Sequence, residues 1–153
     1  LLWFLINVFP ILEQAIPDIK LNIVGDNSAP SLATINKENI NFTGRLDSVE
    51  EMYNASRVFI APTRFAAGIP HKIHEAAAKG LPSVTTALLA QQLGWQDTKQ
   101  LLVADTPEAY AAQCIKLYQD EKLWLDVRDA GLTGIAKDCS QETFRKNLAG
   151  LFT

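Results

Sequence analysis

Cysteine, surplus charge and long apolar runs are all scarce in this 153-residue chain. Cys114 and Cys139 have no metal-ligand spacing, so we expect ordinary reduced thiols in a reducing compartment. The net charge is −3, which excludes a general attraction to nucleic acid or membranes. The apolar run Leu1 to Leu12 is too short for a membrane span and lacks a basic leader. These features exclude a disulfide scaffold, a general nucleic-acid binder and a membrane span formed by the first twelve residues.

The chain does contain alternating apolar patterns typical of strands and helices. With 48% apolar and 20% charged residues it is long enough for one domain with a real core. Such alternation across short turns predicts an α/β fold, a Rossmann-like parallel sheet with helices on both faces. The predicted strands are Leu21–Val24, Ile40–Thr43, Arg57–Ala61, Ser83–Thr86 and Leu101–Ala104. The predicted helices are Leu1–Ala15, one after Ser48, one from Pro70, Ala87–Leu93, one after the Thr106 cap, Glu121–Asp129 and Ser140–Leu151.

The helix ends carry further signals. We expect Pro10 to bend or break the first helix, and Ser48 with Glu51 to form a capping box.

The chain begins abruptly at an apolar helix, with no methionine and no preceding strand. We therefore expect a fragment that lacks its first strand, with a partly bare sheet edge that favours a homodimer.

The most informative stretch runs from the apolar strand Val58–Ala61 to the helix that opens at Pro70. Between them lies a small-residue loop that contains Gly68, and the helix carries Lys72 in its first turn and Glu75 one turn later. Free N–H groups, the positive helix end and a lysine favour an anion, while a carboxylate can accept hydrogen bonds from a vicinal diol such as ribose. The pattern indicates a nucleotide pocket. The alternative is an ordinary solvated lysine–glutamate pair.

This stretch resembles the donor-site segment of family 4 (group 1) glycosyltransferases of the GT-B fold. The matching run is Gly68-Ile-Pro-His-Lys72-Ile-His-Glu75-Ala-Ala-Ala-Lys-Gly80-Leu-Pro82. Other stretches agree in order, namely Pro17–Gly25, Phe42–Gly44 and Leu101–Asp105, so the similarity covers nearly the whole chain. The resemblance implies that residues 1–153 are the C-terminal, donor-binding half of such an enzyme, without its N-terminal acceptor domain.

The resemblance also assigns roles to residues of this chain. It implies that Lys72 and the backbone near Gly68 and Ile69 hold the donor diphosphate and that Glu75 binds the ribose hydroxyls. These two charged residues are the catalytic candidates. Gly44 and Arg45 match the loop that borders the nucleobase. Their alternatives are a strand-ending turn and a solvated charge.

Three loops at the carboxyl ends of strands are expected to converge on one ligand. They begin at Gly25, at Gly44 and at Arg64. The guanidinium of Arg64 suits phosphate oxygens, and His71 at the helix start can approach phosphate. Arg64 as a plain surface side chain is the alternative. His74 is expected to pack or be solvated, and no metal site is expected from the histidines.

The chain departs from the family pattern at several positions. Ala67 stands where many members have an acidic residue that touches the transferred sugar, and Asn27 stands where a second glycine often follows. Leu89 and Gln92 stand where two glycines are expected. These departures put the sugar contact and the pocket rim in question.

The function implied by the resemblance is transfer of a hexosyl group from a nucleotide-diphosphate sugar, in cell-surface or extracellular polysaccharide or glycoconjugate synthesis. It implies no metal or other cofactor, and no activity for this chain alone. The expected partners are the sugar donor and the acceptor domain. The expected location is the cytoplasm, with peripheral membrane association through the acceptor domain. The alternatives are a nucleotide-sugar epimerase and a binding or interaction domain without chemistry.

Overall fold

Helices and short parallel strands alternate along the chain, as the apolar patterns predict. The computed structural model describes residues 1–65 and 68–149. The strands are β1 (Leu21–Val24), β2 (Ile40–Gly44), β3 (Phe59–Ala61), β4 (Ser83–Thr85) and β5 (Leu102–Val103). A π-helical segment, Phe4–Val8, leads into α1 (Phe9–Ala15), and the other helices are α2 (Glu50–Ala55), α3 (His71–Ala78), α4 (Ala87–Leu93), α5 (Pro107–Gln119), α6 (Glu121–Asp138) and α7 (Gln141–Ala149).

The first helix changes type at its proline. The N–H of Phe9 donates to the carbonyl of Phe4, a wide π-helical bond, and Pro10 then occupies the first turn of α1. Pro10 has no N–H to donate, so the narrower α-helical ladder begins only after it. The helix does not break at Pro10, as one form of the prediction had it, but changes there from π- to α-helix.

Two predictions about helix ends are wrong. Helix α6 continues to Asp138 rather than Asp129. The capping box is absent, because α2 begins at Glu50 with Val49 as its N-cap and no side-chain cap. Ser48 therefore lies outside the helix, and its hydroxyl accepts a local bond from the N–H of Glu50 at 3.3 Å. The predicted end of the last helix, Leu151, lies outside the described residues.

The five strands form two parallel sheets instead of one continuous sheet. In the first sheet β1 pairs with β2, with Leu21 opposite Ile40. In the second the order is β3-β4-β5, with Ala61 opposite Thr85. Among the described strands, β1 and β3 are not hydrogen-bonded to each other.

Side chains of the second sheet alternate between two apolar clusters, one on each face. Val58 and Ile60 join the cluster built on α1 and α5, whereas Phe59 and Ala61 join the cluster built on α3 and α4. Because successive residues of a strand point to opposite faces, this division places helices on both sides of the sheet. The predicted α/β class with helices on both faces is confirmed.

Candidate functional site

The loop before α3 delivers Lys72 and Glu75 to one face of the helix, as the sequence predicts. The helix begins at His71 with Pro70 as its N-cap, one residue later than expected. The carbonyl of Pro70 accepts the first helical hydrogen bond, from the N–H of Ile73 at 2.9 Å. Lys72 therefore lies in the first turn, where the helix dipole favours anions.

The Lys72 ammonium is held by the segment after β3. Its Nζ donates to the hydroxyl of Thr63 at 3.0 Å, and the carbonyl of Thr63 accepts from the hydroxyl of Thr86 at 2.7 Å. Burial lowers the pKa of Lys72. Burial lowers the pKa of the Leu1 amino group, and the nearby charge of Lys72 lowers it further. The sequence pattern contained no signal for the Thr63 contact.

Glu75 faces the neighbouring helix α2, where Tyr53 is its partner. Burial raises the pKa of Tyr53 to about 12, and the charge of Glu75 and a hydrogen bond to it contribute to the rise. The Tyr53 phenol therefore lies near the Glu75 carboxylate, and both side chains line the same cavity. Sequence analysis missed Tyr53 as a site residue, because no local motif links helix α2 to helix α3.

Two of the three predicted loops lie side by side. The N–H of Gly25 donates to the carbonyl of Gly44 at 2.8 Å, and both glycines have positive φ, +124° and +69°. Side chains other than glycine are strained in these conformations. Beyond this turn, Arg45 lies 3.8 Å from the carboxylate of Asp26, and both charges are largely exposed. In this structure Arg45 is therefore a solvent-exposed charge, as the alternative for this residue predicted.

The third loop has a different neighbour. The Arg64 guanidinium stacks over the ring of Trp3, 5.5 Å from its centroid. Gly68 has a φ of +91°, and the side chains of Phe65 and Ile69 are exposed, by 89% and 58%. Ala67, which stands where many family members have an acidic residue that touches the sugar, lies outside the described residues.

The two histidines of α3 differ in environment. His71 is exposed at the helix start, whereas His74 packs against Trp95 with ring centroids 5.3 Å apart. Burial lowers the pKa of His74, and the Sγ of Cys139 lies 4.0 Å from its Nδ1. In the described part of the chain, no three histidine, cysteine, aspartate or glutamate side chains form a group that could hold a metal ion.

A cavity of about 360 Å³ opens beside these residues, between β1 and β3. Lys72 and Glu75 contribute to its lining, together with Tyr53. Most of the remaining lining is aliphatic or aromatic. The structure thus brings Lys72 and Glu75 to one opening, while Gly25, Gly44 and Arg45 form a separate turn at the end of the first sheet.

Parallel strands, helices on both faces and a glycine loop leading into a lysine-bearing helix define a Rossmann-like α/β domain. The chain belongs to the glycosyl transferases group 1 family, whose model matches residues 1–120. Its fold is that of GT-B glycosyltransferases, as the sequence resemblance predicted.

Solved structures and a curated relative are similar to much of the chain. The crystal structure of HepE from Anabaena in complex with UDP-glucose has a TM-score of 0.80 and 13% identity over 95% of this chain and 43% of that chain. The crystal structure of TarM has a TM-score of 0.77 and 14% identity over 94% of this chain and 31% of that chain. An uncharacterized 44.6 kDa protein in the cps region of Klebsiella pneumoniae is 26% identical over 75% of this chain. The chain spans 32% of that relative's length.

None of the described helices has the length and apolarity needed to cross a membrane.

Proposed function

We propose that this chain is the donor-binding part of a glycosyltransferase that transfers a hexosyl group from a nucleotide-diphosphate sugar. One observation carries the proposal: Lys72 and Glu75 line the same opening at the amino end of α3. Membership of the glycosyl transferases group 1 family supports it, as does a fold shared with an enzyme crystallised with UDP-glucose.

In this mechanism the chain stabilises the leaving nucleoside diphosphate. The Lys72 ammonium and the positive dipole end of α3 lie against the diphosphate, where negative charge develops as the glycosidic bond breaks. These groups neutralise the leaving group without a metal ion or another cofactor.

Glu75 binds the ribose of the donor. Its carboxylate accepts hydrogen bonds from the two ribose hydroxyls, close to the Tyr53 phenol. Gly44 and Arg45 border the base, and Arg64 and His71 reach the phosphates once the donor is bound. Arg64 must leave Trp3 to do so, at the cost of one exposed cation–π contact.

The biological setting follows from the same relatives. The curated relative in a cps region supports a role in cell-surface or extracellular polysaccharide synthesis. The acceptor site belongs to an N-terminal domain of a longer protein, so this chain alone is inactive. We place the protein in the cytoplasm, with any membrane contact made by that other domain.

Calorimetric titration with UDP, GDP and ADP tests the site. UDP comes first because HepE was crystallised with it. Glu75→Ala should weaken binding by about 10- to 100-fold, since bonds to a charged group are lost. Lys72→Ala should weaken binding of UDP by about tenfold or more and leave binding of uridine unchanged, because the nucleoside has no phosphate.

Two exposed residues nearby are matched controls. Lys79→Ala removes a lysine from the C-cap of α3, where it pairs with Glu50 at 2.7 Å. Glu51→Ala removes a carboxylate from α2. Both variants should bind like the parent chain. A folded chain that binds no nucleotide, or that binds equally well after Glu75→Ala, would contradict the assignment of the donor site to these residues.

A further inference from the structure

The carboxyl ends of strands β3 and β4 meet beside Lys72. Thr63 lies two residues after β3, and Thr86 follows β4 directly. Because β3 and β4 are parallel, with Ala61 opposite Thr85, their carboxyl ends lie at the same edge of the sheet. Ligands of open parallel sheets bind at this edge. The two threonines therefore lie where a ligand of Lys72 would bind.

Hydrogen bonds between strand ends fix the backbone of Thr63. The hydroxyl of Thr86 donates to the carbonyl of Thr63 at 2.7 Å, and Thr86 is only 3% exposed. The carboxylate of Asp105, which follows β5 closely, accepts from the N–H of Ala87 at 3.0 Å and so holds the residue after Thr86. Three strand ends are thus joined, and Thr63 has a set position before any ligand binds.

The side chain of Thr63 orients the Lys72 ammonium. The Nζ of Lys72 donates to the hydroxyl oxygen of Thr63 at 3.0 Å. No carboxylate of the described residues forms an ion pair with Lys72. Because a hydroxyl is neutral, it holds the ammonium in place and leaves its charge unneutralised. That charge remains for an anionic ligand.

The Thr63 hydroxyl also keeps its own donor. A hydroxyl has one O–H and two acceptor sites, and the bond from Lys72 uses an acceptor site only. No carbonyl or carboxylate of the described residues accepts the O–H of Thr63. Thr63 and Lys72 therefore present two donors 3.0 Å apart, close to the spacing of two oxygens of one phosphate group. By contrast, the guanidinium of the next residue, Arg64, stacks over Trp3.

We propose that the Thr63 hydroxyl is a phosphate-binding group of the donor site. It donates to one oxygen of the diphosphate, while the Lys72 ammonium donates to a neighbouring oxygen of the same phosphate group. Thr86 is a positioning residue, because it contacts Thr63 and not the ligand. The identity of the ligand as a nucleoside diphosphate rests on the proposed function, whereas the paired donors recognise phosphate with or without a nucleoside.

A purely structural role for Thr63 has a different signature. A hydroxyl that only orders the end of β3 contributes to stability, and its removal affects every ligand of the folded chain alike. A hydroxyl that donates to phosphate affects the binding of UDP and inorganic pyrophosphate but not that of uridine, which has no phosphate.

Calorimetric titration of the Thr63→Val chain with UDP and uridine tests the contact. Valine keeps the shape of threonine and removes the hydroxyl, so binding of UDP should weaken by about tenfold or more while binding of uridine stays unchanged. Thr63→Ser restores the hydroxyl and should bind UDP within about threefold of the parent chain. Thr133→Val is the matched control, because its hydroxyl donates to the carbonyl of Asp129 at 2.8 Å on α6, and it should bind both ligands like the parent chain.

The Lys72→Ala background separates direct contact from orientation of the lysine. Adding Thr63→Val to Lys72→Ala should weaken UDP binding by a further threefold or more, roughly, because the hydroxyl donates to the phosphate itself. No further loss would mean that Thr63 acts only through Lys72, and would overturn the direct contact.

Thr86→Val tests the positioning residue. The Thr63 carbonyl then loses its partner, so binding of UDP should weaken by roughly threefold while binding of uridine is unchanged, and Thr86→Ser should restore UDP binding. Equal weakening of both ligands would assign Thr86 a structural role instead.

Inorganic pyrophosphate, titrated by 31P NMR, distinguishes failure of this inference from failure of the proposed function. UDP bound equally well by the parent and Thr63→Val chains overturns the Thr63 contact and leaves the donor site in place. Pyrophosphate bound by the parent and lost in Thr63→Val, without binding of UDP, supports the phosphate contact and overturns the nucleotide function. A folded chain that binds neither overturns both. Circular dichroism checks folding, and Thr63→Ala, with the same expected result, replaces Thr63→Val if that variant does not fold.

Discussion

Tyr110 shows how a single side chain can join elements that are distant in sequence. Its ring is fully buried and makes edge contacts with Trp3 and Phe4. Its hydroxyl donates to the carbonyl of Val84 at 2.7 Å and accepts from the N–H of Ala61 at 3.2 Å. The hydroxyl partners lie in or beside β3 and β4, far from Tyr110 in sequence, so no local pattern identifies them.

Tyr110→Phe should lower the free energy of unfolding by about 1–2 kcal/mol, because it leaves buried backbone groups without their partner. Urea denaturation measures the change. The control is Tyr118→Phe, which keeps an aromatic ring over Arg57 and should change stability by less than about 0.5 kcal/mol. Equal effects of the two substitutions would exclude a stabilising role for the Tyr110 hydroxyl.

In the candidate site, too, local sequence patterns located the charged residues but not their partners. Helical spacing correctly placed Lys72 and Glu75 on one face of α3. Their partners, Thr63 and Tyr53, lie in other elements, so no local pattern identified them.

At the scale of elements, the strand and helix order was predictable, and so was the Thr106 cap, whose hydroxyl accepts from the N–H of Ala109 at 3.3 Å. The Ser48–Glu51 capping box was not. Helix α6 begins at a working cap, where the carboxylate of Asp120 accepts from the N–H of Leu123 at 2.9 Å. The Ser48–Glu51 pair has the right spacing for a cap, yet α2 starts too late to use it. A capping motif acts only if the backbone turns at that residue, and packing of the helix decides where it turns.

Asp120→Ala should cost about 1 kcal/mol of stability, because α6 loses its N-cap bond. Glu51→Ala should cost less than about 0.5 kcal/mol, since only a favourable interaction with the helix dipole is lost. Thermal unfolding by circular dichroism compares the two variants. A larger loss for Glu51→Ala would mean that the capping box forms in solution.

At the scale of the whole molecule, α6 packs against α3 and the loop before β5 through two glycines. A methyl group at Gly131 would meet the carbonyl of Gln100 at 3.5 Å and Ala77 at 3.6 Å, which are ordinary contacts. At Gly134 it would meet the Trp95 ring at 3.1 Å. That ring is buried and its N–H donates to Asp138 at 2.8 Å, so it cannot move freely.

Gly131→Ala should therefore raise the free energy of unfolding by up to about 1 kcal/mol through better helix propensity. Gly134→Ala has the same local gain but forces Trp95 to shift, and a net loss of about 1 kcal/mol or more is expected. Denaturant titrations with tryptophan fluorescence distinguish them. Equal gains from both substitutions would show that α6 can move away from Trp95 at little cost.

The sequence by itself determined the order of strands and helices, the α/β class and the family. Those features depend on periodicity, turn residues and motif spacing, which are properties of a few consecutive residues. Only the tertiary structure showed that the sheet is interrupted between β1 and β3, with a largely apolar cavity between them. It also decided which residues hold Lys72 and Glu75, and that Arg64 stacks on Trp3. Each of these depends on which distant segments meet in space, and a local pattern carries no information about that.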